Sequence, residues 1–426
     1  MFFQLTRLLY RAYVPCLLRF NPAFPCEISG KAEYTVRIQP FSGWRPRELS
    51  ARGRTISPDT MAHFEKPIPL EKTDDCLSLS LVFPQEDRYI ITLYMDGNAA
   101  DMLAVYALED DLYALTPYKG DNHLHSFYSD GTESPEYMAA YCRRLGYDYV
   151  VLTDHYQYEP SLRAADVLSP FRSDFLVIPG EEIHSPNNPV HIINLGGCKS
   201  VNDWCREDPE AYESSVQRHM KTIQEPMTPC ARYAAAASMA VFEKIREADG
   251  VAILCHPGWI KDHTLQQEQD ITDCLFDRRC FDALELIAGG AGETGTQLQV
   301  SYYQGRERMP VLGSSDAHRT SEGLLTLGNY TIVFAAELSA EAIKSAIRNG
   351  YCVAACGNKL YGPFRLVLYA YFLLEHVFPQ HDRICSLQGK EMIGFACGKT
   401  EVKPGCREKV KESSRTIADF YAAVKE

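Results

Sequence analysis

The sequence predicts an α/β protein in three parts: a small β-sandwich-like domain, then a region of alternating strands and helices, then a helical appendage. Three observations carry this. The 426 residues correspond to about two to three domains. Residues 27–118 read as short strands broken by turn residues, and from 119 onward strand-like runs alternate with helical stretches, the pattern of a parallel sheet or barrel with helices outside. A composition of 46% hydrophobic and 23% charged residues can bury a core, which excludes a disordered or collagen-like chain.

Taken in order, residues 1–26 carry Arg7, Arg11 and Arg19, no acid and many large apolar side chains. The arginines interrupt any signal-peptide core, so an arm packing on the body is the expectation. In the β-rich accessory domain, 27–118, Thr35–Ile38, Leu77–Val82, Tyr89–Tyr94 and Leu103–Leu108 are rich in β-branched and aromatic residues. Pro40, Pro84, Asp96-Gly97 and Asp110-Asp111 punctuate them.

The alternating region, 119–350, has strand candidates at Tyr149–Thr153, Phe175–Ile178, His191–Leu195, Val251–Leu254, Ala283–Ile287, Val311–Gly313 and Tyr330–Phe334. Helix candidates are Ser134–Leu145, with Ser134 as cap and Pro135 at the first position, Tyr233–Asp249 and Ser339–Asn349. An insertion over about 199–233 reads as a lid that shapes specificity. Residues 351–426 read as the helical extension. Its apolar run Leu366–Leu374 ends at Glu375, short of the ~18 residues of a membrane span.

Charge and cysteine usage narrow the partners. With 43 Lys+Arg against 56 Asp+Glu the net charge is −13, which disfavours general nucleic-acid binding and leaves room for a pocket for one small phosphorylated molecule. Fifteen cysteines without a tight repeating frame read as reduced thiols in a cytoplasmic protein. A homo-oligomer stays open.

The chemistry-bearing residues recur in one context, at or near predicted strand ends. His123-Leu124-His125 puts two imidazoles on one side of an extended segment. Asp130 follows in Ser129-Asp130-Gly131, then Leu152-Thr153-Asp154-His155, Pro179-Gly180-Glu181-Glu182-Ile183, His191, Cys255-His256-Pro257-Gly258, and Ser315-Asp316-Ala317-His318. One buried histidine is more often structural than a ligand. Five such elements in order point to a metal site, because carboxylates such as Asp130, Glu182 and Asp316 brought together without cations repel and are forced to protonate. Past these motifs, Arg319 is a candidate clamp for phosphate or carboxylate. Lys261 and Trp259 are candidates to cap the pocket, Trp259 more as packing.

The series His-x-His…Ser-Asp-Gly, Thr-Asp-His, Pro-Gly-x-Glu, His, His-Pro-Gly and Ser-Asp-x-His over about 119–350 resembles the PHP (polymerase and histidinol phosphatase) superfamily of metallohydrolases. Pro179-Gly180-Glu181-Glu182 followed by His191 and Asn194 is most similar to its CehA/McbA-like branch. The resemblance implies an irregular (β/α)7 barrel and two or three divalent ions (Zn, Mn or Fe). One ion would be held by His123, His125, Glu182 and Asp316; a second would share Glu182 and add His191 and His256; the third would take Asp130, His155 and His318. His184 is the alternative to His191, and Asp154 would orient His155. Glu182, Asp316 and His318 would stand at the reacting centre.

The activity so implied is a phosphoesterase acting on a small phosphorylated metabolite or nucleotide through attack of a metal-bridging hydroxide. The runner-up is a carboxylic or carbamate ester hydrolase on the same centre. A binding or regulatory module with a vestigial site is disfavoured, since no ligand position is visibly degraded.

Overall fold

A computed structural model describes residues 3–23, 28, 31–43, 64, 66–73, 75–171, 174–304, 309–321, 325 and 328–398. They divide into two compact units between Leu115 and Thr116. The far end of the expected appendage, 399–426, lies outside the described residues.

In the N-terminal unit, β1 (Phe3–Leu5), β3 (Pro15–Pro22), β6 (Glu71–Lys72) and β7 (Leu77–Val82) form one sheet in the order β1-β3-β7-β6. A second sheet, β2-β9-β8-β4-β5, is built from β2 (Leu9–Arg11), β4 (Tyr34–Pro40), β5 (Ile68–Pro69), β8 (Asp87–Met95) and β9 (Asn98–Leu108). The two sheets share one core that includes Leu18, Phe20, Val36, Ile38, Leu79, Ile91, Leu93 and Val105. Period-2 burial along β8, with Tyr89, Ile91 and Leu93 inside, is the signature of a half-buried strand. Residues 3–22 are therefore three strands of this unit rather than an arm. Phe3, Leu9, Tyr10, Leu18 and Phe20 are buried in it, which gives the apolar N-terminus its place.

The second unit starts at β10 (Thr116–Leu124). Thr116–Tyr118, read from the sequence as the end of the accessory domain, pair antiparallel with 333–335 instead. One sheet has the order β12-β11-β10-β20-β21-β22, with β11 (Tyr149–Leu152), β12 (Leu176–Ile178), β20 (Asn329–Ala335), β21 (Cys352–Cys356) and β22 (Lys359–Tyr361). The other has the order β13-β14-β15-β18-β19, with β13 (Gly180–Ile183), β14 (Ile192–Leu195), β15 (Val251–Leu254), β18 (Ala283–Ala288) and β19 (Val311–Ser314). A small hairpin, β16 (Ile260–Lys261) with β17 (Thr264–Leu265), follows β15.

These sheets are mixed rather than parallel. Residues 184–191 are too short a connection for a crossover helix, so β13 and β14 form an antiparallel hairpin, and β14 pairs antiparallel with β15 as well. β21 and β22 also extend the sheet into the region expected to be purely helical. The two sheets meet at their ends. The Asp316 amide donates to the His123 carbonyl at 3.0 Å, the His125 amide to the Ala317 carbonyl at 3.0 Å, and the Glu182 amide to the Thr153 carbonyl at 3.2 Å.

Helices Pro135–Arg144 and Ala340–Arg348 lie where the sequence places them, the first capped by Ser134 with Pro135 following, while Pro229–Glu247 starts four residues before the expected Tyr233. The inserted segment is itself helical, Val201–Glu207 and Pro209–Met220, and packs Val201, Cys205, Tyr212 and Val216 into the core. The apolar run near the C-terminus forms Phe364–Phe372 and continues through a π-helical turn, Leu373–Val377, into Phe378–Ala396. No described helix is long and apolar enough to cross a membrane.

Phe378–Ala396 packs on Pro135–Arg144 closely enough that a Cβ on Gly389 would collide with the Arg144 backbone. Gly389→Ala is expected to destabilise this unit by about 1–3 kcal/mol, read as a lowered urea midpoint with an unchanged m-value.

Candidate metal centre

The sheet ends described above bring the sequence-selected residues together. β10 delivers His123 and His125. β13 delivers Glu182. Because β14 runs antiparallel to β13, its start lies at the same rim, with Ile183 opposite Ile192. This puts His184 and His191 side by side, ring centroids 3.9 Å apart. The turns after β15 and β19 deliver His256, Asp316 and His318. His256 and Asp316 hold φ of +26° and +52°, and left-handed backbone at residues other than glycine costs about 1–3 kcal/mol each.

Glu182 is the hub. Its Oε2 lies 3.1 Å from His123 Nε2, 3.4 Å from His125 Nε2 and 2.9 Å from His155 Nδ1. Its Oε1 lies 2.8 Å from His191 Nδ1 and 3.5 Å from both His184 Nε2 and His256 Nε2. Asp316 Oδ1 is 3.1 Å from His125 Nε2 and 3.3 Å from His123 Nε2. Asp130 reaches in from the loop, 3.4 Å from His155 Nε2 and 3.2 Å from His318 Nε2. The floor, His123, His125 and Glu182, is buried, while the Asp130 side chain is 55% exposed, so the cluster opens to solvent on the Asp130–His318 side.

Adjacent Glu181 points to the other face of the strand. There it accepts from the Asn194 amide group, the Ser200 hydroxyl and the Val201 backbone amide, at 3.0, 2.8 and 2.6 Å, and so fixes the helix Val201–Glu207.

One position differs from the sequence expectation. Asp154 does not orient His155; it accepts from the Ser126 amide, the Ser126 hydroxyl and the Ser129 hydroxyl at 2.7, 2.7 and 2.6 Å, which pins the loop carrying Asp130. Arg319 and Lys261 are both exposed. The Lys261 ammonium stands 5.7 Å from the Trp259 ring, and that ring packs 5.5 Å from both His191 and His256.

The sequence reading did not single out Glu285. It is fully buried in β18, its Oε1 is 3.0 Å from His123 Nδ1, and its Oε2 accepts from the His256 amide at 3.0 Å. It turns His123 Nε2 toward the centre. A lone acid within the apolar stretch Ala283–Ala288 was the available signal. Gly290 was also passed over; a Cβ there would collide with Asp316 Oδ2.

The donor set fits divalent cations. Several His/Asp/Glu groups have ligand atoms within mutual reach, among them His125–Asp130–His155–His318, His123–His125–Asp316 and His155–Glu182–His184. His155 Nδ1, His184 Nε2 and His191 Nδ1 are buried and make no aligned hydrogen bond despite their nearness to Glu182. Buried imidazole nitrogens left in this way are what a cation would satisfy.

The electrostatics agree. Burial works against the charge on Glu182, yet His123, His155 and His191 hold its carboxyl well below the usual range. Burial likewise opposes charge on His155, but Glu182 and Asp130 raise it to about 10. Burial, reinforced by His256 and His184, outweighs Glu182 at His191 and lowers it to about 4.

No family model matches the chain. It is 45% identical over 53 residues to DNA polymerase/3'-5' exonuclease PolX of Bacillus subtilis; that stretch is 12% of this chain and spans only 9% of the polymerase's length. Over 169 residues it is 27% identical to an uncharacterized protein of Methanocaldococcus jannaschii, covering 37% of this chain and 68% of the relative. A crystal structure from Bacteroides vulgatus, of a two-domain protein containing a predicted PHP-like metal-dependent phosphoesterase, covers 61% of this chain and 70% of its own at 20% identity, with a TM-score of 0.44.

Two outcomes are expected. Glu285→Gln should weaken divalent-ion affinity about 10–100-fold, measured by chelator competition. Because a cation must displace the proton on His155, raised to about 10, affinity should rise between about pH 6 and 8, by up to about tenfold per pH unit for that proton. Proton release on metal addition in weakly buffered solution checks it.

Proposed function

We propose that this chain is a metal-dependent hydrolase of the PHP type, cleaving a small phosphorylated metabolite or nucleotide. The observation that carries the reading is the set of imidazole nitrogens converging on Glu182, three of them buried without an aligned hydrogen-bond partner. The proposed ligands are His123, His125, Asp130, His155, Glu182, His191, His256, Asp316 and His318. His184 stands equally close to Glu182 as His256 does, and joins them as a candidate. This donor set suits Zn, Mn or Fe. Bound divalent ions would supply the acidification of a water and the neutralisation of phosphoryl oxygens at neutral pH.

The chain's own contribution is orientation and charge. Glu182 faces histidines on both of its oxygens and so holds adjacent cation positions together. Asp316 closes the floor from just past β19, at the other edge of the sheet that carries Glu182. His318 and Asp130, at the solvent side, are placed to hold or pass a proton where a leaving oxygen departs. Arg319 and Lys261 are the proposed anion contacts. Multiple cation positions suit a group that spreads negative charge over several oxygens, which is why a phosphoester leads.

One observation favours the second reading, a carboxylic or carbamate ester hydrolase. Arg319, the candidate clamp for phosphate or carboxylate, and Lys261, the candidate to cap the pocket, are both exposed. The Pro179-Gly180-Glu181-Glu182…His191…Asn194 pattern, similar to the CehA/McbA-like branch, supports that alternative. Every described cysteine is a free thiol, which suits a cytoplasmic location.

Purified protein loaded with Mn²⁺ or Zn²⁺ is expected to hydrolyse an aryl phosphate faster than the matching aryl ester. Glu182→Gln should cost more than the ~100-fold upper range for a residue that only supports a ligand, with the far-UV circular dichroism retained. Full activity with native metal content in that variant would falsify the assignment. Ester cleavage alone, lost in Asp316→Asn, would put the second reading first.

A further inference from the structure

The turn that delivers His256 begins with a residue the hydrolytic reading does not use. Cys255 directly follows β15 and is 1% exposed. Val251, Ile253 and Cys255 share one buried core, while Ala252 and Leu254 belong to another, which is the alternation of a strand covered on both faces. Cys255 is therefore the last side chain on its face, and it stands where the apolar core ends and the metal centre begins.

A cysteine that only fills space behaves as a small apolar side chain. This one meets metal-ligating groups. Its thiol donates to Glu182 Oε1 at 3.8 Å, and its Sγ lies within 4.8 Å of ligand atoms on His123, His256 and Glu285. The same Oε1 is 2.8 Å from His191 Nδ1 and 3.5 Å from His184 Nε2, two buried nitrogens that make no aligned hydrogen bond. The thiol thus belongs to a group with donor atoms still open.

The spacing matches two ligands of one ion. With Zn–S about 2.3 Å, Zn–O about 2.0–2.2 Å and a tetrahedral angle between them, the two ligand atoms lie about 3.5–3.7 Å apart. Sγ and Oε1 are 3.8 Å apart before any ion draws them together. Sulfur also changes which ion is preferred. Thiolate is a soft ligand that selects Zn²⁺, whereas a set of imidazoles and carboxylates also accepts Mn²⁺.

We propose that Cys255 is a sulfur ligand to the cation on the Oε1 side of Glu182, and that it sets a preference for the thiophilic ion Zn²⁺ over Mn²⁺. This rests on the metal-dependent reading above and adds the class of cation. On coordination the S–H bond breaks, its electron pair stays on sulfur and forms the bond to the ion, and the proton leaves to solvent. Neither sulfur nor the ion changes oxidation state.

The test uses the full-length protein under a non-thiol reductant, with metal ions added one kind at a time. Chelator competition measures Zn²⁺ and Mn²⁺ affinity for wild type, Cys255→Ser and Cys255→Ala. Serine keeps a hydroxyl for Glu182 and removes only the sulfur, so it separates ligation from support. Cys255→Ser is expected to weaken Zn²⁺ binding about tenfold or more, at least the cost of losing a residue that only supports a ligand, and to leave Mn²⁺ within about threefold. Cys255→Ala should lower the Zn²⁺-to-Mn²⁺ affinity ratio in the same direction. Cd²⁺ supplies a spectroscopic readout: one equivalent should give ultraviolet sulfur-to-metal charge-transfer absorption in wild type and much less in Cys255→Ser. An affinity ratio or a Cd²⁺ absorption unchanged in Cys255→Ser overturns the sulfur ligand and leaves the metal centre standing. No tight binding of any of the three ions by wild type overturns both.

Discussion

One carboxylate sets the terms for the rest of the second unit. Glu182 is fully buried, where an ionised group without partners would be prohibitive. It is tolerated because six imidazoles from five stretches of chain surround its two oxygens. Each of those imidazoles must therefore be held at a fixed depth, and the strands that carry them must end on one rim. The antiparallel hairpin β13–β14 meets that need with a short connection. It presents His184 from the end of one strand and His191 from the start of the next.

The same constraint explains how neighbouring acids acquire unrelated tasks. Glu181 and Glu182 differ by one position in a strand, hence by one face of the sheet. Glu181 is saturated by the amides and side chains at the start of the inserted helix, so it has no capacity for a cation. Asp154 and His155 divide in a comparable way: the acid holds the 126–129 loop, and the imidazole faces the centre. Behind these, Glu285 fixes His123, and the bare Cα of Gly290 leaves room for Asp316. The site is thus supported by residues that never face the substrate.

Much of this was legible in the sequence because the decisive residues come in pairs of fixed spacing. His123 with His125, and Asp316 with His318, announce themselves by the i, i+2 device at strand ends. Helix starts such as Ser134-Pro135 announce themselves by capping chemistry. What escaped has physical reasons. Glu285 belongs to no motif and acts through another side chain. The roles of Asp154 and His184 depend on which way a loop turns after the strand. The mixed strand directions follow from connection lengths, which the alternating pattern alone does not convey. The first two N-terminal strands are short, and Arg19 masked the alternation of Leu18 and Phe20 that buries the third.

A second histidine cluster in the same unit shows why nearness of ligand types is a weak criterion by itself. Asp148, His381 and Cys385 also have donor atoms within mutual reach. Here, however, His381 Nε2 meets Asp148 at 2.9 Å and Nδ1 meets Asp382 at 3.1 Å in aligned hydrogen bonds, while Arg143 and the Lys119 amide complete the Asp148 carboxylate. Burial opposes charge on this imidazole, but Asp148 raises its pKa well above the ordinary value. It is a saturated ion network that fastens Phe378–Ala396 to the strands. At Glu182 the imidazole nitrogens are just as close and just as enclosed, but His155, His184 and His191 each keep a nitrogen without an aligned partner. His123 is as fully hydrogen-bonded as His381, so the distinction belongs to the cluster: one is saturated throughout, and the other keeps buried nitrogens open toward a carboxylate. On that distinction, rather than on residue counts, the metal centre is separated from the core.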